Sequence, residues 1–106
     1  MKIQENLLEI NESAVRGVLV KIKDPEIGEN IIDLGLVYLI EVDESVIRIK
    51  MTMTSPACPM RELLLDEVYA TLASAFPNAE IDIELLWEPA WSPEMMSDEA
   101  KANLGW

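Results

Sequence analysis

The chain holds a single cysteine, Cys58, in Thr54-Ser55-Pro56-Ala57-Cys58-Pro59, where an alternating apolar pattern gives way to a helical one. Pro59 has no amide hydrogen and a φ close to the helical value, so it suits a first helical position and makes Cys58 the cap residue. A thiol at a cap faces unpaired amides and the positive end of the helix dipole. Both favour the thiolate, the form that attacks electrophiles and binds metals. Most free cysteines are buried and inert. Two flanking prolines and a loop position weigh against that here, because strand-to-helix loops commonly present reactive groups. Thr54 has two readings: its hydroxyl reaches the Cys58 sulfur, or it simply ends the strand.

The elements that must position this segment follow from periodicity. Asn11 before Glu12 marks a helix start, and Val15, Val18, Leu19 and Ile22 recur on one helical face. That helix is expected to end near Lys21 and Lys23, since Pro25 disfavours helical geometry at Asp24. The ten residues before it carry Leu7, Leu8 and Ile10 and support no assignment. Val37 to Val42 reads as a strand and Asp43-Glu44-Ser45 as a turn. Ile47, Ile49, Met51 and Met53 then alternate with Arg48, Lys50 and Thr52, as in a half-buried strand paired in a hairpin. The two methionines share the face of Ile47 and Ile49 and read as core thioethers rather than metal ligands.

Met60, Leu63, Leu64, Val68, Leu72 and Ala75 form a broad helical stripe, closed by Phe76-Pro77-Asn78. Ile81, Ile83, Leu85 and Trp87 give a last strand, which the helix should return parallel to its predecessor. The expected fold is therefore α+β: a single domain over residues 1–106 in helix, hairpin, helix, strand order, with a small mixed sheet. Such a unit leaves one sheet face to be covered by a partner or by the tail. Trp87, Trp91 and Trp106 all lie in that tail, where rings either seal an under-sized core or dock a partner. Ser92 or Ser97 is expected to cap a short helix ending near Gly105. Gly35 is expected to take a positive φ before the hairpin, and Asp33 to bond neighbouring loop amides.

Composition narrows the chemistry. With 20 acidic against 8 basic residues and a net charge of −12, the chain repels phosphate backbones and anionic lipid, so neither nucleic acid nor membrane is an expected partner. One cysteine forms no internal disulfide, and with no histidine the common zinc patterns are absent. The first residues lack the features of a secretory signal, so a reducing cytoplasm is the expected compartment. A thiol enzyme would need a base beside its nucleophile, and only carboxylates are at hand; the chain is not expected to be an enzyme.

Asp24-Pro25-Glu26, Asp33-Leu34-Gly35-Leu36-Val37-Tyr38, Met51-Thr52-Met53-Thr54-Ser55-Pro56-Ala57-Cys58-Pro59 and the ending Leu104-Gly105-Trp106 together resemble the SufT-like and PaaD-like family of small metal-sulfur cluster assembly proteins. The resemblance runs from the first helix to the last residue. It implies a compact α+β domain acting as an accessory factor in the maturation of iron-sulfur proteins. It also implies a functional cluster of Asp24, Glu26, Thr54 and Cys58, with the cysteine central. On residue type alone, Asp24 serves as readily as an Asp-Pro helix terminator and Glu26 as a solvated loop charge. Two departures are visible. Ala90 stands where the family usually has a second proline between tail tryptophans, and no cysteine-rich extension follows. The stand-alone SufT-like role is thus the better carry-over. The alternatives are a PaaD-like accessory factor for a phenylacetyl-CoA oxygenase and an adaptor with an incidental cysteine.

An iron-sulfur cluster usually takes four protein ligands, mostly thiolates, and one chain has one. A labile cluster or iron would therefore be held between two chains, with Cys58 of each facing across a two-fold axis, or with an external thiol completing the shell. The implied partners are the assembly machinery, apo-client proteins and a second copy of the chain. Nearby carboxylates would raise the thiol pKa, against the helix end, until a cation arrived. A dominant helix end has a measurable signature. The Cys58 thiol should alkylate at neutral pH faster than a free model thiol, with a pKa below about 8.5; a higher value from the rate-pH profile would give the carboxylates the upper hand.

Overall fold

A computed structural model describes residues 10–25, 27–54 and 61–105. Helix α1 spans Glu12–Leu19, strands β1 and β2 span Val37–Asp43 and Val46–Met51, helix α2 spans Arg61–Ala75 and strand β3 spans Glu80–Leu85. A 3₁₀ turn at Pro93–Met95 and helix α3 at Asp98–Leu104 follow. The sheet order is β1-β2-β3, with β1 and β2 antiparallel and β2 and β3 parallel. This is the expected α+β hairpin and crossover.

The central strand carries the core. Ile47, Ile49 and Met51 are buried, and the register sets them beside Ile81, Ile83 and Leu85 of β3 and, for the two isoleucines, Val42 and Ile40 of β1. Val15, Leu19 and Ile22 from the first helical pattern, together with Leu64, Val68 and Leu72 of α2, join the same cluster. Each of these side chains, fully buried, contributes about 1.5–3 kcal/mol of transfer free energy. Two expectations about the helices need correction. Leu63 is 56% exposed, so α2 buries the narrower i, i+4 row of Leu64, Val68 and Leu72. Helix α1 stops at Leu19, short of Lys21 and Lys23. Beyond it, the Lys21 and Ile22 amides donate three residues back, to Val18 and Leu19, and the Ile22 carbonyl accepts the Ile31 amide at 2.9 Å. The backbone there is committed to a bridge between Lys23 and Asn30, which a continuing helix would forbid.

The outer sheet face also differs from expectation. It is largely laid out in rows of charge, Glu41 opposite Arg48 opposite Asp82 and Lys50 opposite Glu84, with Leu39 exposed beside Lys50. Arg48 and Glu41 approach to 3.6 Å. Cross-strand pairs of opposite charge suit a sheet face in water. Thr52, assigned by alternation to that polar face, is instead fully buried, since β2 has ended and its amide bonds the Leu36 carbonyl at 2.8 Å.

The tail packs on the approach to β1. Residues 31–34 form one helical turn: the Asp33 amide donates to Asn30 Oδ1 at 2.8 Å, capping its start. The Leu36 amide reaches the Ile31 carbonyl and the Gly35 amide the Ile32 carbonyl, with Gly35 at φ +81°. This is the six-to-one and five-to-two pattern that closes a helix with a left-handed glycine. Ser97 caps α3 through the Ala100 amide at 3.1 Å, whereas Ser92 makes no capping bond to the turn that follows it. A Cβ on Gly35 would collide with the Met95 carbonyl and come within 2.9 Å of Met95 Cβ. Gly35→Ala should therefore cost about 2–3 kcal/mol, from the left-handed backbone and the collision together, read as a lower urea midpoint with unchanged slope.

Candidate functional site

A run of backbone hydrogen bonds links the segment just before Asp24 to the strand end just before Thr54. Where β2 ends, the Thr52 amide bonds the Leu36 carbonyl, the Leu36 amide bonds Ile31, and the Ile31 amide bonds Ile22. Two residues beyond Ile22 lies Asp24, and two beyond Thr52 lies Thr54, which is half-buried. The helical turn of residues 31–34 is thus the bracket between the Asp24 loop and the segment leading to Cys58. Glu26 and Cys58 lie outside the described residues, as does the expected capping of α2 by Cys58.

Asp24 is only 1% exposed. Its amide donates to the Glu29 carbonyl at 3.0 Å, its carbonyl accepts the Gly28 amide at 2.7 Å, and its Oδ1 accepts the Ile27 amide at 3.1 Å. The Asp-Pro pair therefore builds a tight loop rather than ending the helix, which stops five residues earlier. Withdrawing a carboxyl group from water is costly unless hydrogen bonds compensate, and the Ile27 amide supplies one such bond here.

A second polar cluster surrounds Glu29. Its Oε1 accepts the Asn30 amide at 3.0 Å, and its Oε2 accepts Asn103 Nδ2, from α3, at 3.0 Å. Asn30 Nδ2 also donates to Asp33 Oδ2 at 2.7 Å, so the Asp33 carboxyl takes a side-chain amide where the sequence suggested the amides of the loop backbone. These bonds, Asn103 first and then the Asn30 amide, hold the Glu29 carboxyl below its ordinary range, against a small opposing effect of desolvation. On β1, a bulge between Val37 and Leu39 inserts Tyr38. Its hydroxyl donates to the Pro89 carbonyl at 2.7 Å and lies 3.6 Å from Met95 Sδ. Desolvation pushes the Tyr38 phenol up, in part offset by the Thr52 hydroxyl, with the Glu88 charge adding to the rise.

Of the tail rings, Trp91 is half-buried against the core and its indole N–H donates to the Leu34 carbonyl at 2.6 Å. Trp87 is exposed and Trp106 lies outside the described residues. Glu29, Asn103 and Tyr38 were not singled out from the sequence. The Asn30 to Asp33 spacing is a readable cap signal, but Asn103 is 74 residues from Glu29 and nothing local joins them. Among the described residues no three His, Cys, Asp or Glu side chains gather to hold a metal ion.

The family described as iron-sulfur cluster assembly protein matches residues 12–84, which hold α1, the Asp24 loop, the hairpin and α2. The chain belongs to that family. It is 38% identical over 92 residues to the Fe-S protein maturation auxiliary factor YitW of Bacillus subtilis, covering 86% of this chain and 90% of that one. To the Fe-S protein maturation auxiliary factor SufT of Staphylococcus aureus it is 42% identical over 83 residues, 77% of this chain and 94% of that one. The crystal structure of a domain of unknown function, DUF59, from Bacillus anthracis superposes with a TM-score of 0.85 at 41% identity, covering 89% of this chain and 91% of that one. The family match stops at residue 84, ahead of the tail, whose Trp91 bonds Leu34 of the bracket and whose Asn103 bonds Glu29.

The depressed Glu29 carboxyl has a pH signature. Since its folded pKa lies below the ordinary value of 4.5, it contributes stability that is present above that value and lost as pH falls through the folded pKa. Glu29→Gln should thus be less stable than wild type at pH 7, with the gap narrowing in urea melts as pH drops below 4.5. A gap that stays constant across pH would assign the effect to packing rather than charge.

Proposed function

We propose that this protein is an accessory factor in the maturation of iron-sulfur proteins, acting through Cys58 on a cluster, on iron or on an apo-client held transiently as cargo. The observation that supports the reading most is near full-length likeness to relatives whose own names state that role: two maturation auxiliary factors, each covered over nine-tenths of its length. A role without catalytic turnover agrees with the side chains available, because the whole chain has no histidine to serve as a base.

Ligand count shapes the mechanism. One thiolate per chain is too few for a resident cluster, so cargo would be completed by the donor, the client, a small thiol or a second copy of this chain. Incomplete ligation favours release, which a transfer factor needs. Asp24, Glu26 and Thr54 complete the proposed cluster around Cys58. A cation entering it would lower the thiol pKa and be held by the carboxylates, so loading and thiolate formation reinforce each other. The partners are assembly proteins and apo-clients, and the net charge of −12 disfavours nucleic acid. Among the described residues no helix is long and apolar enough to cross a membrane. A lone working thiol fits a reducing cytoplasm.

Cys58→Ser should abolish function while sparing the fold. In cells lacking the native protein, the activity of a cluster-dependent client should fall by about tenfold or more, with stability changed by less than about 1 kcal/mol in thermal melts. Client activity equal to wild type would remove Cys58 from the mechanism, and a large drop in melting temperature would return it to the core.

A further inference from the structure

The C-terminal segment returns to the bracket beside Asp24 at four places. Trp91 bonds the Leu34 carbonyl, the Met95 backbone lies against Gly35, the Ser97 amide bonds the Asp33 carbonyl at 2.7 Å, and Asn103 Nδ2 bonds Glu29 Oε2 at 3.0 Å. Three of these contacts tie down the helical turn. The fourth reaches further, because the carbonyl of Glu29 accepts the Asp24 amide while its carboxylate is held by α3.

We propose that Asn103, acting through Glu29, is a positioning residue for Asp24: docking of α3 holds closed the loop that presents the Asp24 carboxyl group. The inference rests on the reading of Asp24 as part of the functional cluster. The position of Asn103 separates this from a general contribution to stability. Asn103 is exposed on the last turn of a seven-residue helix. Asparagine is also a weaker helix former than alanine. Alanine therefore costs α3 itself nothing and the variant loses the Glu29 bond: a general role lowers amide protection throughout the protein together, whereas the positioning role loosens the loop on the far side of that bond.

Amide hydrogen exchange on the full chain, followed by NMR, reads the difference. In Asn103→Ala the Asp24, Ile27 and Gly28 amides, which bond the Glu29 carbonyl, the Asp24 carboxyl and the Asp24 carbonyl, should exchange about tenfold faster, equivalent to about 1.4 kcal/mol of local opening. Amides of Ile49 in β2 and Val68 in α2 should keep wild-type rates, and client activity in cells should fall severalfold. Asn103→Asp, which sets a second carboxylate against Glu29, should loosen the loop further. Unchanged exchange at the three loop amides in both variants overturns the proposal, as does a loosened loop with wild-type client activity. Asp24→Asn in the same cells separates the two layers: wild-type activity there refutes the assignment of Asp24, while the exchange data still report whether α3 holds its loop.

Discussion

The missing side chain of Gly35 is the constraint on which the site end of this fold depends. At φ +81° it closes the helical turn of residues 31–34, and its bare Cα lets the Met95 backbone pass closer than any Cβ would allow. Both conditions must hold together. Without the left-handed residue the Ile31 and Ile32 carbonyls lose their partners and Leu36 does not swing into β1. Without the close approach, Trp91 and Ser97 do not reach the carbonyls of Leu34 and Asp33, and the tail has no seat. One residue thus couples the start of the sheet, the loop that carries Asp24 and the return of the C-terminal segment.

Around that crossing the protein sets polar groups where water is scarce. Asp24 and Thr52 are buried beside a core of aliphatic and thioether side chains, and Tyr38 is turned by a bulge to bond the tail backbone. Buried polar groups seldom raise stability over an apolar replacement, although they specify a unique arrangement when hydrogen-bonded. Their concentration at one end of the sheet sets that end apart from the charged rows of the outer face. In the proposed function, with a metal or cluster as cargo, a carboxyl group fixed in its loop by hydrogen bonds would have a use. It would offer a hard oxygen ligand without supplying enough ligands to trap what must be passed on.

Much of the fold was legible because its signals are local. The alternation from Ile47 to Met53 gave the central strand, its face and the core role of Met51 and Met53. Asn11 and Ser97 cap their helices as read, since a cap depends on residues three apart. The errors arose where periodicity was extended past the point at which tertiary contacts take over. Helix α1 stops early because the carbonyl of Ile22 is claimed by Ile31, and Leu63 is left outside because the sheet beneath α2 is only three strands wide. The outer face was taken to need cover because strand patterns alone do not show that Glu41, Arg48 and Asp82 fall in one row.

By itself the sequence determined the main element types, the parallel return of the last strand, the core face of the central strand and the scarcity of soft ligands. These depend on residue identity, spacing and count. Tertiary structure alone decided which distant groups meet: Asn103 with Glu29, Trp91 with the Leu34 carbonyl, and Tyr38 with the Pro89 carbonyl. Each joins residues more than fifty positions apart. A hydrogen bond over such a span leaves no periodic trace in the chain. Its partners become neighbours only after the sheet has formed and the tail has crossed the bare face of Gly35.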